Sequence, residues 1–281
     1  MLINPQKNGE NLATFISERM LRKALEELKQ GFGCVALKVG AEAEANSFEE
    51  IGYFHKLASS IVPVEAKIGG PTAQNDIRTF LKIGVSGIIV PMIESPYGLR
   101  KSVNSLRHIM TKSEFHVLQK SMMIETLDAY NQLHEILGMP EAKIFDKIII
   151  GRSDLSRSMV KNLDDPDVTE VCRKIARKTH EIGLRASIGG GVTPSNAKMI
   201  VEDIGVDELV TMHVAFKVKS CPDVSEAVRK GLEFETIVLE KQKEKLRKQI
   251  SDIEHQALEL KKGVIFSALW SNYVLGSFSS F

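Results

Sequence analysis

The chain has 281 residues, 43% of them hydrophobic and 26% charged, a balance that supports a buried core and excludes intrinsic disorder and fibrous repeats. Thirty-seven Lys and Arg stand against 36 Asp and Glu, a formal charge of +1. No broad cationic field is offered to nucleic acid or an anionic bilayer, so an anionic ligand must be held locally.

Cys34, Cys172 and Cys221 are odd in number and show no CxxC or Cys/His ligand spacing, which points to a reducing cytoplasm. The first residues lack a secretory pattern, and no run of 18 apolar residues is present to span a membrane.

In chain order, the apolar spacing of Leu12, Phe15, Ile16, Leu21, Leu25 and Leu28 predicts an amphipathic helix over 9–30, stopped by Gly31. The period then changes. Short apolar runs at 34–39, 61–66, 87–91, 115–124, 144–150, 184–188 and 208–212 read as strands buried on both faces. Helix-like stretches such as 48–59, 75–83, 97–110 and 168–182 separate them.

This βα alternation predicts an α/β protein. We favour a (β/α)8 TIM barrel over an open doubly wound sheet. Only seven strands are evident, so either a short eighth lies near the N-terminus or the barrel is modified. The barrel is expected to occupy 1–221.

Residues 222–281 carry a long helical extension. Leu239, Leu246, Ile250, Ile253, Ala257 and Leu260 repeat with coiled-coil spacing, interrupted by Lys243. Packing on another subunit is the favoured reading, and packing on the chain's own barrel is the alternative. The apolar tail of Phe266, Leu269, Trp270, Tyr273, Leu275 and Phe281 is expected to dock on a neighbour.

In such a barrel the loops after the strands share one face, so polar residues just beyond each apolar run converge. Lys38 closes the first run, with Glu42 and Glu44 after it. Lys67 closes the second, Glu94 follows the third, Glu125 ends the fourth, and Arg152 and Asp154 follow the fifth. Glu125 and Asp154 fall on adjacent strands at one level. Two carboxylates there can hold Mg²⁺, which keeps open positions for water and a chelating substrate, and Mn²⁺ or Co²⁺ can substitute. The competing reading pairs Glu125 with Arg152 or Lys67 and makes Asp154 the cap of the next turn.

The segments Val90-Pro91-Met92-Ile93-Glu94-Ser95, Met123-Ile124-Glu125-Thr126 and Ile150-Gly151-Arg152-Ser153-Asp154-Leu155-Ser156 follow one another in an informative order. In this respect residues 33–212 resemble the HpcH/HpaI aldolase and citrate lyase beta-subunit family. The resemblance implies a metal-dependent (β/α)8 barrel of the phosphoenolpyruvate/pyruvate-binding group, which cleaves or forms carbon–carbon bonds next to 2-oxo acids or acyl thioesters. It also implies that Glu125 and Asp154 are the metal ligands, and that backbone amides of the loop 151–155, at Gly151, Ser153 and Asp154, receive a pyruvate-type carboxylate. A metal chelated beside the oxo group would stabilise the enolate left by retro-aldol cleavage.

Two departures from the family pattern matter. The arginine that shares enolate charge is Lys67 here, a point donor without a planar fork, so Lys38 or Arg152 is expected to compensate. The family's Glu-His pair falls on Glu42-Ala43, which removes the expected histidine. Glu42, Glu44, His213 or a metal-bound water must then move the proton, with the glutamates ranked first. A Schiff base at Lys67 or Lys38 is a lesser alternative.

The Gly189-Gly190-Gly191 loop precedes Thr193-Pro194, a possible helix start for phosphate, although a tight turn is the commoner explanation. The remaining histidines show no zinc spacing, and Ser153 and Ser156 lack a triad. The expected function is a divalent-metal-dependent carbon–carbon lyase acting on a small 2-oxo acid as a homo-oligomer. The alternatives are a pyruvate- or phosphoenolpyruvate-binding barrel active in group transfer, or an inactive scaffold.

Overall fold

A computed structural model of the chain describes residues 17–41, 44 and 46–277, with side chains to 258 apart from 245 and 257. The compact unit Ser17–Glu235 is the barrel, and residues from Thr236 onward belong to a second unit.

The barrel unit opens with α1, Glu18–Phe32, capped by the Ser17 hydroxyl accepting from the Met20 amide. The helix runs through Gly31 and stops at Gly33. There φ is +75°, and an added Cβ would lie 2.9 Å from the Ser220 backbone. The elements that follow are β1 (Cys34–Gly40), α2 (Phe48–Ala58), β2 (Val64–Lys67), α3 (Gln74–Ile83), β3 (Gly87–Val90), α4 (Pro96–Ile109), α5 (Lys112–Val117) and β4 (Gln119–Ile124). Next come α6 (Leu127–Asn131), α7 (Leu133–Leu137), β5 (Lys147–Gly151), α8 (Arg152–Ser158), α9 (Pro166–Glu181) and β6 (Arg185–Gly189). The chain continues with α10 (Ala197–Ile204), β7 (Glu208–Val210), β8 (Val214–Lys217) and α11 (Val224–Ser277).

The strands close in sequence order into an eight-stranded barrel, with β1 to β7 mutually parallel. The eighth strand is β8, not one near the N-terminus, and it runs antiparallel to both β7 and β1. Only Thr211, Met212 and His213 separate it from β7. A parallel return needs a crossover of a dozen residues or more, so so short a link can only make a hairpin. The Glu235 carboxylate pins that link, accepting from Thr211 Oγ1 (2.5 Å) and from the amides of His213 (2.6 Å) and Val214 (3.0 Å).

Other boundaries shift for local reasons. Residues 115–117 belong to α5 because Thr111 and Glu114 form a reciprocal capping box. Ile144 ends a 3-10 turn begun at Pro140. Residues 61–63 form a turn before β2.

Inside the barrel, strand alternation sorts side chains into layers. At the N-terminal ends of the strands, buried Lys147 grips Glu65 (2.9 Å) and Glu208 (2.8 Å), and Arg185 reaches Glu208 at 2.6 Å. Above this lie two apolar clusters, Ile89 with Met123 and Ile149, and Ala36 with Val210 and Ala215. The next inward positions, at the C-terminal ends, are Lys38, Lys67, Glu125 and Gly151. Outward residues such as Ile148 and Ile150 are equally buried, which is why the strands read as continuous apolar runs.

Candidate active site

The C-terminal mouth of the barrel holds a cavity of about 380 Å³ whose lining includes Lys38, Glu44, Lys67, Glu125, Gly151, Ser153 and Asp154. Strand alternation brings them together: Lys38, Lys67, Glu125 and Gly151 each follow an inward residue by two positions, and Glu44, Ser153 and Asp154 lie in the segments beyond the strand ends.

Glu125 directly follows β4 and is buried. Its Oε1 accepts from the Met92 amide at 2.9 Å. Met92 has φ +54°, a left-handed conformation that costs a non-glycine residue of order 1–3 kcal/mol and turns this amide toward the carboxylate. Gly151 makes room beside it, since a Cβ there would sit 2.6 Å from Glu125 Cβ. Burial pushes the Glu125 carboxyl upward. The Met92 amide and Lys67 pull it back, and the charge of Asp154 pushes it up further, leaving a net rise.

Asp154 lies in the first turn of α8, which has Gly151 at its N-cap and no side-chain cap. Its Oδ1 meets Arg157 at 2.9 Å in a largely exposed pair, an interaction worth ~0–1 kcal/mol that does not lock the carboxylate in place. Neither sequence alternative for Glu125 is realised. Lys67 pairs with Glu44, and Arg152 pairs with Asp164.

Lys38 and Lys67 converge on Glu44 at 2.6 Å and 3.1 Å. Burial raises the Glu44 carboxyl, but the two ammonium groups outweigh it and bring it down to about 2. Glu44 is therefore an ionic bridge and a poor proton acceptor near neutral pH.

Several sequence candidates are placed elsewhere. Arg152 is not part of the cavity lining. Its guanidinium is buried, reaches Asp164 at 2.8 Å and leaves Nε without a hydrogen bond among the described residues. His213 is buried outside the lining, with Nδ1 2.9 Å from the Lys38 carbonyl and its ring 4.8 Å from that of Phe54. Glu94 accepts from the Thr126 hydroxyl at 2.9 Å. Glu42 lies outside the described residues.

The Gly189–Gly191 stretch does line the cavity, but as a turn with φ +97° at Gly190 and +63° at Gly191. α10 begins only at Ala197, so Thr193 is not its cap. Sequence reasoning missed Met123 and Ile149 as the floor, and Thr211 and Met212 as part of the wall.

Among the described residues no cluster of three or more His, Cys, Asp or Glu is arranged around a metal. Two carboxylates that repel each other across one cavity are nevertheless a donor set that suits a hard divalent ion, because Mg²⁺ is commonly held by one or two protein carboxylates with water and substrate completing its shell. No helix among the described residues is long and apolar enough to cross a membrane.

The sequence profile of the HpcH/HpaI aldolase/citrate lyase family matches residues 45–188, just over half of the chain. Among solved structures, one similar fold is an HpcH/HpaI aldolase/citrate lyase family protein from Burkholderia cenocepacia J2315, with 15% identity, TM-score 0.55, and coverage of 81% of this chain and 91% of that one. An HpcH/HpaI aldolase from Desulfitobacterium hafniense DCB-2 gives 19% identity and TM-score 0.55 over 69% and 81%. The citrate synthase SbnG gives 17% identity and TM-score 0.53 over 84% and 92%. At these identities the likeness is one of fold. No curated protein sequence matches.

Proposed function

We propose that this chain, which belongs to the HpcH/HpaI aldolase/citrate lyase family and is an enzyme of lyase type, is a divalent-metal-dependent carbon–carbon lyase acting on a small 2-oxo acid. The observation that carries this reading is the meeting of Glu125 and Asp154 in one cavity with the ammonium groups of Lys38 and Lys67.

Glu125 and Asp154 would hold the ion, Mg²⁺ by preference, with Mn²⁺ or Co²⁺ as substitutes. When bound, the ion supplies Lewis-acid stabilisation of negative charge on a 2-oxo acid oxygen. The first-turn amides of α8 at Ser153 and Asp154, which no side chain caps, receive the carboxylate of the oxo acid. Lys67 donates to the oxygen that gains charge as the carbon–carbon bond breaks, and Glu44 holds that ammonium in place. Met123 and Ile149 form an apolar floor that limits water beneath the reacting carbons. Glu44 and His213 are unsuited to proton transfer by charge and by position, which leaves Glu42 as the side chain to test. Arg152 takes no step in this scheme. Its buried guanidinium, paired with the largely exposed Asp164, serves the α8 region as structure.

The barrel unit serves as the catalytic part, and the assembly part, expected from residue 222, is assigned to the segment from Thr236, since residues 222–235 belong to the barrel unit. Leu239, Leu246, Ile250 and Ile253 of α11 are exposed at coiled-coil spacing, which supports a homo-oligomer formed by this helix. The side chains of Ala257, Leu260 and the apolar tail lie outside the described residues. Three free cysteines fit a cytoplasmic setting.

The test is incubation of the purified protein with Mg²⁺ or Mn²⁺ and a panel of 4-hydroxy-2-oxo acids while pyruvate release is followed. Release that requires the metal is the expected result. A full panel left intact would overturn the lyase.

A further inference from the structure

We infer that His213 is a positioning residue: with its proton on Nδ1, the imidazole completes the sheet at the Lys38 carbonyl and thereby sets where the Lys38 ammonium enters the cavity. This deepens the proposed function and rests on it only for the service that Lys38 and Glu44 give to Lys67.

The start of β8 shows why a side chain is needed there. Leu37 of β1 faces Val214 of β8, and Ala36 faces Ala215. One step further, the Lys38 amide donates to the His213 carbonyl at 2.7 Å. Residues opposite each other in a hydrogen-bonded antiparallel pair exchange two bonds, so the His213 amide would return one to the Lys38 carbonyl. That amide is turned instead to the Glu235 carboxylate, at 2.6 Å. The ring of the same residue takes its place, with Nδ1 2.9 Å from the Lys38 carbonyl oxygen. His213 thus holds both backbone groups of Lys38, at the point where the strand delivers its side chain to the cavity.

A carbonyl only accepts, so Nδ1 carries the proton. Nε2 is buried and has no hydrogen bond among the described residues. As a bare acceptor it costs less there than an orphaned N–H would. The Phe54 ring, 4.8 Å away and tilted by 39°, fixes the plane of the imidazole. From Lys38 the effect reaches the site in two contacts: its ammonium meets Glu44 at 2.6 Å, and Glu44 meets Lys67 at 3.1 Å. Burial works against the Glu44 charge, and Lys38 does more than Lys67 to keep it. A Lys38 free to turn would leave Glu44, and with it Lys67, less well placed for the oxygen that gains charge.

The test uses the full chain and three variants, each first shown by circular dichroism to be folded. His213→Asn places an amide nitrogen near the Nδ1 position, His213→Gln places one near Nε2, and His213→Phe keeps a ring without a donor. Isotope-edited NMR of the wild-type imidazole nitrogens, assigned by the signal lost in His213→Asn, should show the His213 proton on Nδ1. Acetylation of Lys38 by acetic anhydride, read by peptide mass spectrometry, should be about fivefold faster in His213→Gln and His213→Phe, the scale of one hydrogen bond lost. In His213→Asn it should stay within about twofold of the wild type. The kcat of metal-dependent pyruvate release should fall in His213→Gln and His213→Phe and be rescued in His213→Asn.

A proton on His213 Nε2, alone or together with one on Nδ1, overturns the assignment. So does a Lys38 acetylation rate, or a measurable kcat, that is the same in His213→Asn as in His213→Gln. The lyase reading fails separately. If the wild type releases no pyruvate from any acid of the panel, that reading is lost, while the imidazole proton and the acetylation of Lys38 still decide the role of His213.

Discussion

Replacing Lys147 with methionine should destabilise the barrel severely. The lysine is buried at the N-terminal ends of the strands, with its ammonium 2.9 Å from Glu65 and 2.8 Å from Glu208. Methionine fills much of the same volume, so the loss is one of charge rather than of packing. Glu208 would keep Arg185, which is half exposed and 2.6 Å away. Among the described residues Glu65 would keep only the Gln119 amide, whose nitrogen can donate to it at 3.2 Å. One carboxylate is thus stranded in the interior. Breaking a buried ion pair in this way costs about 3–5 kcal/mol.

For a cooperative unit of this size each kcal/mol moves Tm by roughly 2–4 °C, so the expected fall is about 6–20 °C. Burial disfavours the Lys147 ammonium, but Glu65 and Glu208 outweigh that and raise its pKa. The contribution of this group is therefore fully present at neutral pH and is lost only as the medium becomes more alkaline than the lysine's unfolded value of about 10.4. Calorimetric melting at pH 7 is the assay. Glu65→Gln added to Lys147→Met should recover most of the loss by removing the stranded charge. A fall in Tm of less than about 3 °C for Lys147→Met alone would refute the reasoning.

Three further outcomes follow from the same geometry. Gly151→Ala places a methyl group 2.6 Å from Glu125 Cβ, so Mg²⁺ titration should show weakened binding, and denaturation should show a loss of about 1–3 kcal/mol from overpacking. The Glu44 carboxyl is lowered from 4.5 to about 2. Its contribution to stability is therefore present above the unfolded value and lost as pH falls through the folded one, and Glu44→Gln should flatten the stability-against-pH curve across that window. Truncation after Val238 should lower the assembly mass measured by light scattering, because it removes the exposed apolar positions Leu239, Leu246, Ile250 and Ile253; an unchanged mass would count against assembly through α11.

The barrel was legible because its strands are buried on both faces and so appear as apolar runs. Its closure was not, since the run at 208–212 reads as one last strand and nothing in the composition marks a hairpin turn at 211–213 followed by another strand. The convergence of Lys38, Lys67, Glu125 and Asp154 was predictable from the rule that strand C-termini share a face. The partner of the lysines was not. Glu44 lies on the loop after β1, and a loop's side-chain direction has no periodicity to read.

Arg152 illustrates the opposite error. Its neighbours Gly151 and Ser153 line the cavity, but one step along the chain turned its side chain toward Asp164. The ionic layer beneath the core left a signal that could have been used: Glu65, Gln119, Lys147, Arg185 and Glu208 stand at the first or second position of five strands otherwise rich in apolar residues.

The central claim is that Glu125 and Asp154 share one divalent ion, and Mg²⁺ titration of the wild type beside Glu125→Gln and Asp154→Asn tests it most directly. The account predicts a single site in the wild type, weakened by more than about tenfold in each variant. Variants that stay folded and bind Mg²⁺ as tightly as the wild type would contradict it.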